Sequence, residues 1–302
     1  MYWGGSYGLK LKGKDVADVT AKALAAGINL FDTADVYHGG RSEEVLGETL
    51  KGRRHSMVLA TKVSGMTGPG LNDSGLSCKH IMEAIESSLR RLLADYIDLY
   101  YLHYPDNDTP IEETLRTLDD LVHRGKVRYI GCSNFFAWQL GKALWVSDTN
   151  NLSRFDCIQS PYNLLNRGIE HELLPLCASE EVKVSVYTPL AVGLLTGKYE
   201  KDKSPANGTR FGTKRDGPIP GAEYCSDTSF EVIDRFKRIV KEHGRTLTQL
   251  ALAWVLSNKT ITSVICGVSS LKQLEDNLGG IELELSDEEL VACETVRDGP
   301  GI

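Results

Sequence analysis

What the 302-residue sequence lacks sets the first bounds. It has no C-x-x-C pair, and its seven cysteines (78, 132, 157, 177, 225, 266 and 293) form an odd set that lies mostly inside apolar runs. That pattern excludes a disulfide framework or a zinc ribbon and predicts reduced, mostly buried thiols. No window approaches the roughly 20 apolar residues needed to span a bilayer, so a membrane protein is not expected. The first ten residues have no basic segment leading into an apolar core, hence no secretory signal, and the expected address is the cytoplasm. Positive charge is in short supply, 34 Lys and Arg against 41 Asp and Glu, for a formal charge of −7. Nucleic-acid binders need a basic face to neutralise phosphates, so no such partner is expected; a nucleotide cofactor needs only a few local cations. Internal repeats and low-complexity tracts are absent as well.

What is present is ordinary globular composition, 41% hydrophobic and 25% charged, in a rhythm of short β-rich runs and longer helical stretches. Strands are predicted at 28–32, 57–63, 96–104, 127–132, 155–160, 183–188 and 262–267. Between them, Ile81, Ile85, Leu89 and Leu92, then Ile111, Leu115, Leu118 and Val122, recur at three- and four-residue steps, the period of amphipathic helices. Alternating strands and helices imply a parallel sheet, and their even spacing favours a closed TIM-type (β/α)8 barrel, one domain over residues 1–302. Asp32, Lys62, His103, Ser133, Gln159 and Tyr187 each stand where a strand gives way to its loop, and in a barrel those ends share one rim. The stretch 190–227 breaks the rhythm and reads as a functional loop, with its charge cluster at 198–216 mainly solvated. Beyond it, 228–243 and 247–257 read as helices, and Ser286 followed by Glu289 is a capping box. An eight-stranded barrel needs one more strand before the helix at about 15–26. Only Met1 to Gly5 is available, so an N-terminally truncated barrel is expected, with Met1-Tyr2-Trp3 as the remnant of its first strand and the strands at 28–32 and 262–267 unpaired on one side.

Three ionisable residues and a tyrosine at successive strand ends form the candidate site: Asp32 and Tyr37 in FDTADVY, Lys62 in ATKV and His103 in YLHY. Reducing a carbonyl requires a hydride at carbon and a proton at oxygen, and the proton needs an acid nearer neutrality than the pKa of about 10 of a free tyrosine. A neighbouring ammonium favours the phenolate, which Lys62 supplies if Asp32 pairs with it. His103 would orient the carbonyl oxygen. Taken singly, Asp32 is equally a helix cap and His103 a satisfied core histidine; their joint placement carries the reading. Lys62 as a Schiff-base nucleophile is a separate alternative, disfavoured by a neighbouring aspartate that keeps the amine charged. His38 has no visible partners for a metal. Trp3, Tyr104, Phe135 and Phe136 are candidates for pocket walls or core.

Seven segments in fixed order, FDTADVYHGGRSEEVLG, LATKV, SLRRLLADYIDLYYLHYPD, GKVRYIGCSNF, IQSPYNLLNR, YTPLAVGLLTGKY and GVSSLKQLEDNL, resemble the aldo-keto reductase superfamily over nearly the whole chain. The branch resembled contains aflatoxin-aldehyde reductases and potassium-channel β-subunits. The resemblance implies Tyr37 as general acid with Asp32, Lys62 and His103 completing a tetrad, a small-molecule carbonyl substrate, and a nicotinamide cofactor, NADPH with NADH as the alternative. It implies that Ser133, Asn134 and Gln159 hold the carboxamide and that Tyr187 stacks on the ring. Pro189, Leu190, Gly193, Leu195 and Lys198 would line the pyrophosphate with Arg210 nearby, while Gly267, Ser269, Gln273, Asp276 and Asn277 would receive the adenosine end. Departures are Asp276, where many relatives carry glutamate, and Ser270, where relatives that firmly select NADPH often carry arginine. The same resemblance admits a second reading, an NADPH-binding regulatory module of slow turnover like the channel subunits. Substrate identity and oligomeric state are not legible.

Overall fold

The computed structural model describes residues 14–212 and 221–294. Seven strands run in chain order through one parallel sheet: β1 (Leu30–Asp32), β2 (Val58–Val63), β3 (Ile97–Leu102), β4 (Val127–Ser133), β5 (Cys157–Pro161), β6 (Lys183–Tyr187) and β7 (Ile261–Ile265). Every neighbouring pair is parallel. The sheet is strongly curved. Flat, β1 and β5 would lie about 19 Å apart at four strand spacings, yet Gln159 in the middle of β5 donates to Asp32 at the end of β1 across 2.8 Å. The seven strands therefore form a nearly closed barrel of the (β/α)8 type, and among the described residues β1 and β7 each have one strand neighbour. The expected remnant at Met1-Tyr2-Trp3 lies outside the described residues.

The connecting helices are α1 (Lys14–Ala25), α2 (Arg41–Leu50), α3 (Cys78–Leu92), α4 (Ile111–His123), α5 (Ala137–Asn150), α6 (Leu173–Ser179), α7 (Asp227–Glu242), α8 (Leu247–Ser257), α9 (Leu271–Leu278) and α10 (Asp287–Glu294). Local chemistry sets their ends. Ser77 accepts the His80 amide at the start of α3, and Leu93 closes that helix in a left-handed conformation, an end that leaves the last carbonyls bonded. Thr246 and Gln249 form a reciprocal capping box on α8, and Ser286 and Glu289 do the same on α10. In α3 the buried stripe is the one the period predicts. In α4 the fully buried residue of the last turn is Leu121, and Val122 packs only partly, a rotation of one position.

Side-chain alternation along the strands divides the interior into two cores. Phe31, Leu59, Tyr100, Ile130, Ile158, Val184 and Val186 point outward into the layer beneath the helices. Ala60, Leu99, Tyr101 and Cys157, with Leu30, fill the barrel itself. The Asp32–Gln159 contact lies at the C-terminal ends of the strands, above that inner cluster. Of the cysteines, 132, 157, 177 and 293 are buried, 266 is half-buried, and 78 and 225 are exposed, all as free thiols.

The barrel filling depends on a glycine. A Cβ at Gly131 in β4 would lie 2.6 Å from the Cys157 carbonyl oxygen and 2.8 Å from the Tyr101 ring, closer than packed atoms tolerate. Gly141 in α5 meets nothing nearer than 3.9 Å. Gly131→Ala is therefore expected to destabilise the fold by about 1–3 kcal/mol through overpacking, and Gly141→Ala to stabilise it by about 0.5–1 kcal/mol through helix propensity. Urea unfolding midpoints of the two variants should move in opposite directions.

Candidate active site

The chain enters the site through β1. Past its end, Thr33 and Asp35 continue the ladder by donating to the Ala60 and Lys62 carbonyls at 2.9 and 3.2 Å. The backbone then turns, so that the Tyr37 amide bonds the Ala34 carbonyl at 3.1 Å and the Tyr37 carbonyl receives the Ser42 amide at 3.3 Å. Tyr37 is thus held between the strand end and the first turn of α2.

Lys62 is only 1% exposed. It donates to Asp32 Oδ1 in a short contact and to the Thr33 carbonyl at 2.7 Å, while Gln159 occupies the other carboxylate oxygen. A buried charge survives only when paired and hydrogen-bonded in this way. The ammonium lies 5.2 Å from the centre of the Tyr37 ring. On the other side, His103 meets that ring edge-on, with centroids 5.6 Å apart.

His103 follows β3 and donates its amide to the Val63 carbonyl at 2.7 Å. Burial, reinforced by the Lys62 charge and opposed by Asp32, lowers its pKa to about 3. The imidazole is therefore neutral at physiological pH, able to donate one hydrogen bond without carrying charge. Its Nδ1 is buried without a partner. Tyr104 stacks on it at 4.6 Å and stays 51% exposed.

Of the other wall candidates, Phe136 is exposed beside the same rim, whereas Phe135 is buried edge-on against Phe155 and belongs to the core. Trp3 lies outside the described residues. His38 adopts a left-handed backbone with φ 55°.

The residues implied for the carboxamide end meet at the ends of β4 to β6. Asn134, itself left-handed, donates to the His103 carbonyl at 2.9 Å and to Ser133 Oγ at 3.1 Å, and accepts the Tyr187 hydroxyl at 2.7 Å. This one side chain ties three strand ends together.

After Tyr187, Pro189 and Leu190 lead into a 3-10 turn over Ala191–Thr196 that contains Gly193 and Leu195. Thr188, Ala191, Val192 and Gly193 all have positive φ (54°, 44°, 51° and 100°), and the Ala191 and Gly193 amides close the turn on the Thr188 and Leu190 carbonyls at 2.9 and 2.8 Å. Lys198 Nζ lies 2.9 Å from where a Cβ at Gly193 would sit. Arg210 stands further along the same loop, partly buried; residues 214–216 of the charge cluster lie outside the described residues.

The third group is spread along the start of α9. Ser270 caps that helix. Ser269 donates through its amide and its hydroxyl to Gln273 Oε1 at 2.7 and 2.9 Å, Gly267 faces open space, and Asn277 is buried. Asp276 accepts the Thr246 hydroxyl at 2.8 Å and so is engaged at the cap of α8.

Sequence reasoning missed the layer behind the tyrosine. Glu43 of α2 is fully buried, accepting Thr61 Oγ1 and Arg91 Nε, each at 2.6 Å; Thr33 and Ser42 share a 2.8 Å hydroxyl contact. Asp35 is 2% exposed, and among the described residues no hydroxyl or cation bonds either carboxyl oxygen. Burial first, then Glu43, raise its pKa to about 7, while the Val36 amide, Arg91 and Lys62 pull it partly back. The available signal was parity: a residue three positions from Asp32 on a continuing strand points to the opposite face.

His103 and Asp35 have opposite linkage. The depressed His103 pKa gives stability that is present above about 6.5 and lost as pH falls towards 3. The raised Asp35 pKa gives stability that is present below about 4 and lost as pH rises through 7. Each effect is on the order of 4 kcal/mol across its window. Between pH 4 and 6.5, relative to wild type, the stability of His103→Gln should fall more steeply with rising pH and that of Asp35→Asn should rise more steeply. Urea unfolding at four pH values measures both slopes.

Comparison with known proteins places the chain in a family. The sequence model of the Aldo/keto reductase family matches residues 1–298. A probable voltage-gated potassium channel subunit beta of Arabidopsis thaliana is 36% identical over 282 residues, covering 92% of this chain and 85% of its own length. The uncharacterized oxidoreductase YrpG of Bacillus subtilis is 34% identical over 307 residues, covering 98% and 91%. Protein tas of Escherichia coli is 34% identical over 305 residues, covering 91% and 87%. With a match across nearly its whole length and an α/β barrel to go with it, the chain belongs to the aldo/keto reductase family and is of the oxidoreductase kind.

Proposed function

We propose that the protein reduces a small aldehyde or ketone to the alcohol, with Tyr37 as the proton donor. The observation that carries this reading is the convergence of Tyr37, Lys62, Asp32 and His103 at one rim, two of them as a buried ion pair beneath the phenol ring. Neutral His103 donates through Nε2 to the substrate oxygen and aims the carbonyl. Tyr37 Oη then gives its proton to that oxygen as charge develops there. The Lys62 ammonium, fixed by Asp32, stabilises the phenolate left behind, and solvent returns the proton after the alcohol leaves.

A reduced nicotinamide nucleotide, when bound, supplies the hydride to the carbonyl carbon. The residues present fit such a group. Ser133, Asn134, Gln159 and Tyr187 offer an amide-rich edge beside His103, suited to a carboxamide. Beside the left-handed run 191–193, Lys198 offers a cation suited to a pyrophosphate, with Arg210 as a second cation. Gly267, Ser269, Gln273, Asp276 and Asn277 would take the adenosine end. NADPH is the proposed nucleotide, with NADH as the competitor.

Tyr37→Phe is expected to lower carbonyl-dependent NADPH oxidation by about 10²–10⁴-fold while leaving nucleotide affinity, read by quenching of intrinsic fluorescence, within about threefold of wild type, a change of under about 1 kcal/mol. Lys62→Met should lower turnover comparably. Normal turnover by Tyr37→Phe across an aldehyde panel overturns the assignment.

A further inference from the structure

We propose that Asp35 is the positioning residue for Tyr37, acting as an uncharged acid in the sealed layer behind the catalytic turn. This rests on the reading of Tyr37 as proton donor. Asp32 and Asp35 flank the same stretch of chain on opposite faces: Asp32 points into the barrel and is paired with Lys62, whereas Asp35 points outward towards α2 and α3. The groups facing Asp35 come from every element packed there. They are Tyr100 of β3, Glu43 of α2 and Arg91 of α3, with Lys62 of β2 acting more weakly from its place beside Asp32 on the opposite face.

In that company one cation serves two acids. Arg91 is already bonded to Glu43, whose other oxygen takes the Thr61 hydroxyl, so a second carboxylate at Asp35 would be buried beside Glu43 without a counter-ion. Burying an unpaired charge costs far more than burying a neutral acid. As the neutral acid, Asp35 both donates and accepts. Tyr100, fully buried and with its hydroxyl unbonded among the described residues, lies near enough to feel a charge on Asp35.

The link to Tyr37 is short. The turn from Asp35 to Ser42 is held on α2 by the Ser42 amide bonding the Tyr37 carbonyl and by the Thr33–Ser42 hydroxyl contact. Ionised Asp35 repels Glu43 in the first turn of that helix, and the relief open to it is for the turn to lift towards solvent. That carries Tyr37 away from Lys62 and His103. A pKa near 7 at Asp35 puts this loosening at the alkaline edge of neutrality, so activity falls there before any titration of the tyrosine itself.

Two measurements on the full chain test this. In aldehyde reduction, the alkaline limb of kcat/KM in Asp35→Asn should move up by about one pH unit or more from its wild-type position, because only the tyrosine then titrates. In amide hydrogen exchange without substrate, protection of residues 36–43, including the Ser42 amide, should fall about tenfold between pH 6 and 8.5 in wild type beyond the intrinsic pH effect, and hold steady in Asp35→Asn; that factor corresponds to one pH unit of coupling. An unmoved limb in Asp35→Asn overturns the inference while leaving the reductase reading intact. Unchanged protection in wild type overturns it as well, even if the variant fails to fold. Absence of any carbonyl reduction by wild type overturns the reductase reading, and the exchange measurement still decides for or against the role of Asp35 in holding the turn.

Discussion

The buried ion pair between Lys62 and Asp32 is the constraint on which the rest of the site depends. Two charges inside a barrel are destabilising unless geometry satisfies both, and here it does so through three strands. β2 brings the ammonium, β1 brings the carboxylate and the Thr33 carbonyl, and β5 brings the Gln159 amide. Closure of the barrel and stability of the pair are therefore one condition: unless the sheet curves enough to bring β5 to β1, Asp32 loses its second partner. The same ammonium adds to the burial that keeps His103 neutral and sits beside the Tyr37 ring, so a single buried charge adjoins both groups expected to touch a substrate oxygen.

Around that charge, position is set by side chains that touch no substrate. Asn134 binds the ends of β3, β4 and β6 into one unit, which fixes His103 through its backbone. Glu43 and Arg91 clamp α2 to α3, which fixes Tyr37 through the first turn of α2. The two clamps differ in kind. The first is made of amides and hydroxyls, whereas the second is an ion pair of one acid and one cation.

Much of this was legible in the sequence, for identifiable reasons. The seven strands follow from short β-rich apolar runs, and α3 and α4 follow from hydrophobic period, because burial on one face writes itself into spacing. Asp32, Lys62 and His103 were readable through their joint placement at successive strand ends, with only Lys62 unusual there on its own. Tyr37 was readable through the chemistry those three imply and through the family motif. Phe135 and Phe136 could not be separated, since adjacent aromatics after a strand look alike until the backbone sends one into the core. Asp276 was read from resemblance as a cofactor contact, and its bond to Thr246 is a tertiary contact thirty residues distant that no local pattern encodes. Glu43, Arg91 and Asp35 were missed because each looks like an ordinary surface charge on its own element. Only the docking of α2 and α3 against β2 and β3 buries them together.

That last group explains how two aspartates three positions apart come to do different work. Residue type and local sequence are nearly the same, and the strand continues through both. Period two sends one inward, where an ammonium waits, and the other outward, where the nearest cation is already engaged. A carboxyl group takes the state its surroundings stabilise, charged where a counter-ion is fixed beside it and neutral where none is free. The inner aspartate thereby holds a charge in place, and the outer one, in the role proposed above, serves the first turn of α2 while it carries its proton. Exchanging their surroundings would undo both, since a neutral acid beside Lys62 leaves the ammonium unpaired and a charged one beside Glu43 leaves two carboxylates to share Arg91.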